Sequence, residues 1–195
     1  MKKLYILFLL AIIIGGCGAA STDLSGFLSP DYKGEKIGKI MVFVNLSDLT
    51  MRQPAEEEIV LSIKMKQVKA FSSLTLFSPA KEYTKEEMDE TIKREKVDAI
   101  LFIELTDYAE SQTYVPKTDY YSFGKKSATK YEFGGYNVSK PVISVKSTLV
   151  STQYGYNIWV ANSVTGGNAF ARVRDIASSL GDEIIDDLKE KRVIK

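Results

Sequence analysis

Apolar positions along the chain fall into a few sharply bounded runs, and the spacing between runs sets the expected order of elements. Ile40-Met41-Val42-Phe43-Val44 and the segment Val97 to Leu105 are short, nearly continuous apolar stretches, the pattern of strands buried on both faces. The first predicted strand is therefore Ile37 to Val44 and the second buried strand is Val97 to Leu105. Between them the period changes to that of a helix. Asn45 and Asp48 mark a turn, and Pro54 followed by Glu56, Glu57 and Glu58 opens a predicted helix running to about Ala70, with Ile59, Ile63, Gln67 and Ala70 on one stripe. Leu74 to Phe77 predicts a short strand closed by Ser78-Pro79. Thr84 and Glu87 have capping-box spacing and start a helix carrying Met88 and Ile92 that ends near Lys96. Residues 37 to 105 thus read as strand, helix, strand, helix, strand, an alternation that favours right-handed crossovers and a sheet covered by helices.

Beyond Asp107 the periodicity is lost. Residues 108 to 141 collect Tyr108, Tyr114, Tyr120, Tyr121, Phe123, Tyr131, Phe133 and Tyr136 among Gly, Ser, Lys and Pro. Alternation returns at Val142 and continues through Ile143, Val145, Ser147 and Leu149. Tyr154 to Asn157 turns the chain, and Ile158-Trp159-Val160-Ala161 predicts the return strand of a hairpin. Gly166-Gly167-Asn168 is expected to open the last helix, where Val173, Ile176, Ala177, Leu180, Ile184 and Leu188 recur every three or four residues. The expected fold class is α/β: a single domain over 37 to 195, with a mixed sheet, a βαβαβ first half, then a hairpin and a C-terminal amphipathic helix. An aromatic-rich insertion occupies 108 to 141.

The remaining apolar run, Leu4 to Ile14, changes the picture of where such a domain works. It follows Lys2 and Lys3 and ends in Gly15-Gly16-Cys17, the charged, apolar and small-residue zones of a secretory leader. Its eleven residues fall short of the roughly twenty a helix needs to cross a bilayer. The segment Ile14-Gly15-Gly16-Cys17 resembles the lipobox of bacterial lipoproteins. That resemblance implies removal of residues 1 to 16 as a signal peptide, acylation of Cys17, and attachment to a membrane through lipid on that residue. Three fatty chains would hold the domain firmly, since about two suffice. Gly18, where an Asp could stand, resembles the default for sorting to the outer membrane on its periplasmic side. Residues 17 to 36, rich in Gly, Ala, Ser, Thr, Asp and Pro, read as a lipidated N-terminus and tether.

Composition narrows the chemistry. Lys and Arg number 26 against 25 Asp and Glu, and losing Lys2 and Lys3 with the leader leaves the mature surface near neutral. Such a surface lacks the positive field that nucleic-acid binding requires. The chain has one cysteine and no histidine. With Cys17 committed to lipid there is no disulfide, and Ser-His and Cys-His catalysis and histidine metal sites are excluded. The glycines at 166 and 167 fit neither a P-loop nor a dinucleotide fingerprint. The carboxylate groups at Glu56 to Glu58 and at Asp182, Glu183, Asp186 and Asp187 have no calcium-loop spacing and read as helix-end electrostatics or a solvated face. Asp98, Glu104 and Asp107 read as strand-edge and turn residues. No catalytic residue, metal ligand or cofactor is expected. The partner-binding candidates are Tyr114, Tyr120, Tyr121, Phe123, Tyr131 and Tyr136, because tyrosines offer contact area and a hydroxyl at low entropic cost. A long hairpin extension with tyrosines covering the sheet explains the same residues equally well.

The order of elements behind a lipobox resembles envelope lipoproteins whose domain is like the amino-terminal domain of the Tol translocation protein. The curli-secretion lipoprotein and the lipoprotein activators of penicillin-binding proteins are similar in outline. The residues that carry this are Ile40 to Val44, Val97 to Leu105 with its preceding helix, and Asn157 to Ala161 before the terminal helix. The resemblance implies a non-catalytic interaction or assembly component of the cell envelope, with an envelope protein or glycan as partner. A subunit of a homo-oligomeric lipoprotein assembly is a second expectation, and a carboxylate-dependent hydrolase a third.

Overall fold

The computed structural model describes residues 19–115, 118–123, 128–133 and 136–194; the side chains of Thr113 and of residues 115–136 lie outside that description. Six strands form one mixed sheet: β1 (Ala20–Leu28), β2 (Lys39–Asn45), β3 (Lys69–Ser72), β4 (Ala99–Val115), β7 (Tyr136–Ser151) and β8 (Asn157–Gly167), in the order β1-β8-β7-β4-β2-β3. The remaining pair, β5 (Thr118–Phe123) and β6 (Ala128–Phe133), makes a separate two-stranded ribbon. The helices are α1 (Leu49–Met65), α2 (Ser73–Leu76), α3 (Lys85–Arg94) and α4 (Val173–Glu190). β2 pairs in parallel with both β3 and β4, so the βαβαβ half is present, and the antiparallel strands β7 and β8 complete the mixed α/β sheet.

Alternate residues of the central strands, Ile40, Val42 and Val44 of β2 and Leu101 and Ile103 of β4, are buried in one core with Ile59 and Ile63 of α1 and Leu180, Ile184 and Leu188 of α4. Burying each Leu or Ile side chain contributes roughly 1.5–3 kcal/mol, and no disulfide is needed. α1 and α4 touch each other through small residues. A Cβ on Gly181 would stand 3.0 Å from Ser62 Cβ and 3.1 Å from Ile59 Cα, so the glycine lets the two helices approach closely without crowding.

Several element boundaries differ from expectation for local reasons. The segment read as a tether is largely strand: Ala20 to Leu28 pairs antiparallel with β8 from Ala20↔Gly167 to Leu28↔Trp159. An edge strand with one face on α4 only half-buries alternate residues, which leaves its composition polar. α1 begins at Leu49, not Pro54, because Asp48 accepts from the Thr50 amide and caps it. It ends before Gln67, whose left-handed φ of 67° closes the helix. Ser72 caps α2 by accepting from the Leu74 amide, so the strand expected at 74 to 77 is a single helical turn, and the strand lies at Lys69–Ser72. α3 keeps the predicted capping box of Thr84 and Glu87. Gly166 and Gly167 belong to β8, held by Ser21 and Ala20 on one side and, at Gly166, by Val142 on the other. The last helix therefore starts later, at Val173.

Candidate functional site

β4 and β7 are much longer than the sheet they belong to. Val142 is the last β7 residue paired with β8, yet β4 and β7 continue together through six further pairs, from Glu110↔Pro141 to Val115↔Tyr136. At about 3.4 Å per residue this ribbon extends roughly 20 Å beyond the domain. The β5–β6 ribbon adds six more pairs, Tyr120↔Tyr131 among them. A register shift between Leu105 and Asp107 marks the root of the arm, where such bulges re-aim a strand. The aromatic-rich insertion is thus mostly paired strand. Its described β4 positions, 108–112 and 114, are all exposed, so no core imposes an apolar period on them.

Of the sequence-derived partner residues, Tyr114 is exposed on this arm. Tyr136 begins β7, Tyr120, Tyr121 and Phe123 lie on β5, and Tyr131 lies on β6; their side chains are outside the described residues, as is Cys17. Tyr108, at the root, is exposed and donates its hydroxyl hydrogen to Glu110 Oε1 at 3.2 Å, and that carboxylate holds its pKa above the usual tyrosine value.

Below the root lies a feature the sequence did not announce. An apolar cleft of about 280 Å³ opens between α1, α4 and the sheet. Met51, Ala55 and Ile59 form one wall, Val173, Ile176, Ala177 and Leu180 the other, and Ile103, Leu105, Tyr108, Pro141 and Ile143 the floor and root. None of its lining residues is charged, and the hydroxyl of Tyr108 is its one side-chain polar group. Its rim continues outward as exposed apolar side chains: Leu49, Met51 and Leu105, with Phe170, 87% exposed, nearby in the loop before α4. Pattern reading assigned Ile176, Ala177 and Leu180 to an ordinary helix stripe. The available signal was the excess of large apolar residues just past the end of β2, at Leu46, Leu49 and Met51.

The cleft, the root of the arm and the start of β1 share one end of the sheet. Ala20 pairs with Gly167, and the Ala19 carbonyl accepts from the Asn168 amide at 2.8 Å. A Cβ on Gly167 would lie 2.5 Å from Ala171 Cβ and 3.0 Å from Pro141 Cγ, both residues of the cleft.

The carboxylates divide differently from the expected helix-end and solvated groups. Glu56 is fully buried and accepts from the Val44 amide at 3.1 Å, Arg52 Nε at 2.9 Å, Ser73 Oγ at 2.9 Å and Ser72 Oγ at 2.5 Å. It ties β2, α1, β3 and α2 together, because it stands three residues before Ile59 on the buried face of α1. Glu57 and Glu58 instead receive Arg174 of α4, at 3.1 and 2.5 Å. Asp187, expected in solvent, accepts from Trp159 Nε1 at 2.6 Å and pairs with Lys191. Asp98 accepts from the amides of Gly38 and Lys39, a turn role as expected. Among the described residues no three His, Cys, Asp or Glu side chains gather as a metal site, and no helix is long and apolar enough to cross a membrane.

No protein-family model matches the chain, and no curated protein sequence does. Solved structures do. The chain is similar in fold to PelC. A PelC dodecamer from Paraburkholderia phytofirmans superposes with a TM-score of 0.51 at 12% identity, over 86% of this chain and 96% of that one. A dodecamer of a point variant of the same PelC gives 0.50 at 11%, over 85% and 98%. Lipoprotein GNA1162 from Neisseria meningitidis matches at 0.42 and 14%, over 79% and 96%. At these identities the likeness to PelC is one of fold.

Proposed function

We propose that this chain is a lipid-anchored envelope protein without catalytic activity, and that it works as a subunit of a homo-oligomeric assembly held together in part by its arm. The observation that carries this reading is the arm itself. An isolated two-stranded ribbon is marginal in water, and its outer strand edges are unpaired templates for another strand. Twelve backbone pairs standing free of the domain therefore call for a partner. A second copy supplies complementary edges. The PelC subunits that share this fold were solved as dodecamers, which supports the same kind of assembly here, and the Tol-like and curli-secretion-like outline of the sequence agrees with a role in the envelope. The arm leaves the domain at the end where β1 begins, so lipid on Cys17 places it next to the membrane, with the outer membrane's periplasmic face as the proposed site.

The test is the mass of the full chain, extracted in detergent, by light scattering and native mass spectrometry. Wild type is expected as a defined oligomer. Replacing residues 110–140 by Asn-Gly is expected to give monomer with unchanged Trp159 fluorescence. A wild-type chain that stays monomeric at high concentration removes the oligomer reading. In that case photo-crosslinking from Tyr114 to a distinct envelope protein would make the chain an adapter.

A further inference from the structure

We infer that the cleft between α1 and α4 takes one acyl chain of the lipid on Cys17 of the same molecule; the inference rests on the lipidation reading. The lining decides the chemistry of the occupant. A peptide would bring N–H and C=O groups that need partners on burial, and the cleft offers no side-chain partner except the Tyr108 hydroxyl, already engaged by Glu110. An occupant with no polar atoms along its length fits, which describes a hydrocarbon chain. The volume of about 280 Å³ sits at the lower edge of the roughly 300–1,000 Å³ of small-molecule sites, enough for a stretch of one slender chain.

Proximity decides the source. Cys17 precedes Ala19 by two residues, a span of about 7 Å at most, and Ala19 is fixed to Asn168. From there Phe170 and Ala171 lead over the N-terminus of α4 to the cleft, with Phe170 exposed and Ala171 in the lining. An acyl chain attached at Cys17 thus starts on the Asp175 and Ser178 side of the α4 N-terminus, from which the apolar Phe170 and Ala171 lead to the cleft. A chain in the cleft would also pack against Tyr108, Pro141 and Ile143 at the root of the arm, so lipidation would stiffen the arm where it leaves the domain.

The test uses the full chain in cells fed a fatty acid carrying a diazirine and an alkyne. Label on wild type and none on Cys17→Ala establishes lipidation separately; an unlabelled wild-type chain removes that reading and this inference with it. After irradiation of labelled wild type, digestion is expected to give the Cys17 peptide joined through its acyl chain to the peptide Gln53–Lys64 or Asp175–Lys189, which carry the two walls. Those products should fall at least about tenfold in Ala171→Phe, which crowds the entry, and in Met51→Glu, which charges the rim. Two variants at opposite sides keep the test open if one folds poorly, as read by Trp159 fluorescence. A lipidated wild-type chain whose cleft peptides carry only phospholipid, or no acyl adduct, overturns the inference.

Discussion

Glu56 concentrates more of the fold's polar order than any single apolar residue. It lies in the second turn of α1 with no exposed surface, and it answers the Arg52 guanidinium, two serine hydroxyls and a backbone amide at the end of β2. Arg52 also stacks its guanidinium on Phe43, 4.5 Å from the ring centre. Glu56→Ala leaves that cation without its carboxylate and three donors without an acceptor. Breaking a buried pair in this way costs about 3–5 kcal/mol, so urea unfolding should show a correspondingly lower midpoint at an unchanged slope. Glu35 offers a milder case at the surface. The Tyr156 hydroxyl donates to it at 2.5 Å and, ahead of other causes, holds its carboxyl below the usual range. Its folded pKa being depressed, its contribution to stability is present above the unfolded value and is lost as pH falls through the folded one. Tyr156→Phe should raise the Glu35 pKa in a carboxyl NMR titration and narrow the stability gap to wild type as the solution is acidified. No upward movement of that resonance's midpoint would assign the depression to another group.

At the scale of elements, the strand β1 is the one whose place is least evident from pattern and most evident from fit. Trp159, fully buried, points its indole N–H at Asp187 of α4, and a Cβ on Gly26 would lie 2.5 Å from Trp159 Nε1 and 2.3 Å from Asp187 Oδ2. β1 can lie over that hydrogen bond only because residue 26 has no side chain. Gly26→Ala should lose about 1–3 kcal/mol through overpacking and redden the emission of Trp159, the chain's single tryptophan; an unchanged spectrum and stability would mean that β1 is docked less tightly. The same contrast explains what could be read in advance. Ile40 to Val44 and Ala99 to Ile103 announce themselves because every residue is apolar and buried or partly buried, and α4 because its stripe faces one core. β1 and the distal halves of β4 and β7 are strands held by backbone pairing with few buried side chains, so their sequences carry no period. Asp48, Ser72 and Gln67 moved helix ends by their own hydrogen bonds and dihedrals, which hydrophobic pattern does not encode.

At the scale of the molecule, one end of the domain carries the arm, the cleft and the start of β1. The helices α1 and α4 approach closely at Gly181, the cleft lies between them, and Arg174 of α4 bridges to Glu57 and Glu58 of α1. The opposite end is closed by the C-terminus, where Val193 and Ile194 are buried and Ile194 bridges Ile37. The tyrosine segment was legible as a distinct insertion between two strands, but the cleft was not, because its residues come mainly from α1, α4, β4 and β7 and meet only in three dimensions. The placement of β1 also has a bearing on how the chain acquires its structure. Thr22 is bonded to Thr165, 143 residues away, so β1 has no pairing partner until the chain has been made as far as β8. Contacts of such sequence separation form slowly, so β1 is expected to be the last strand seated, a late step that pulse-labelled exchange during refolding would register as delayed protection at residues 20–28.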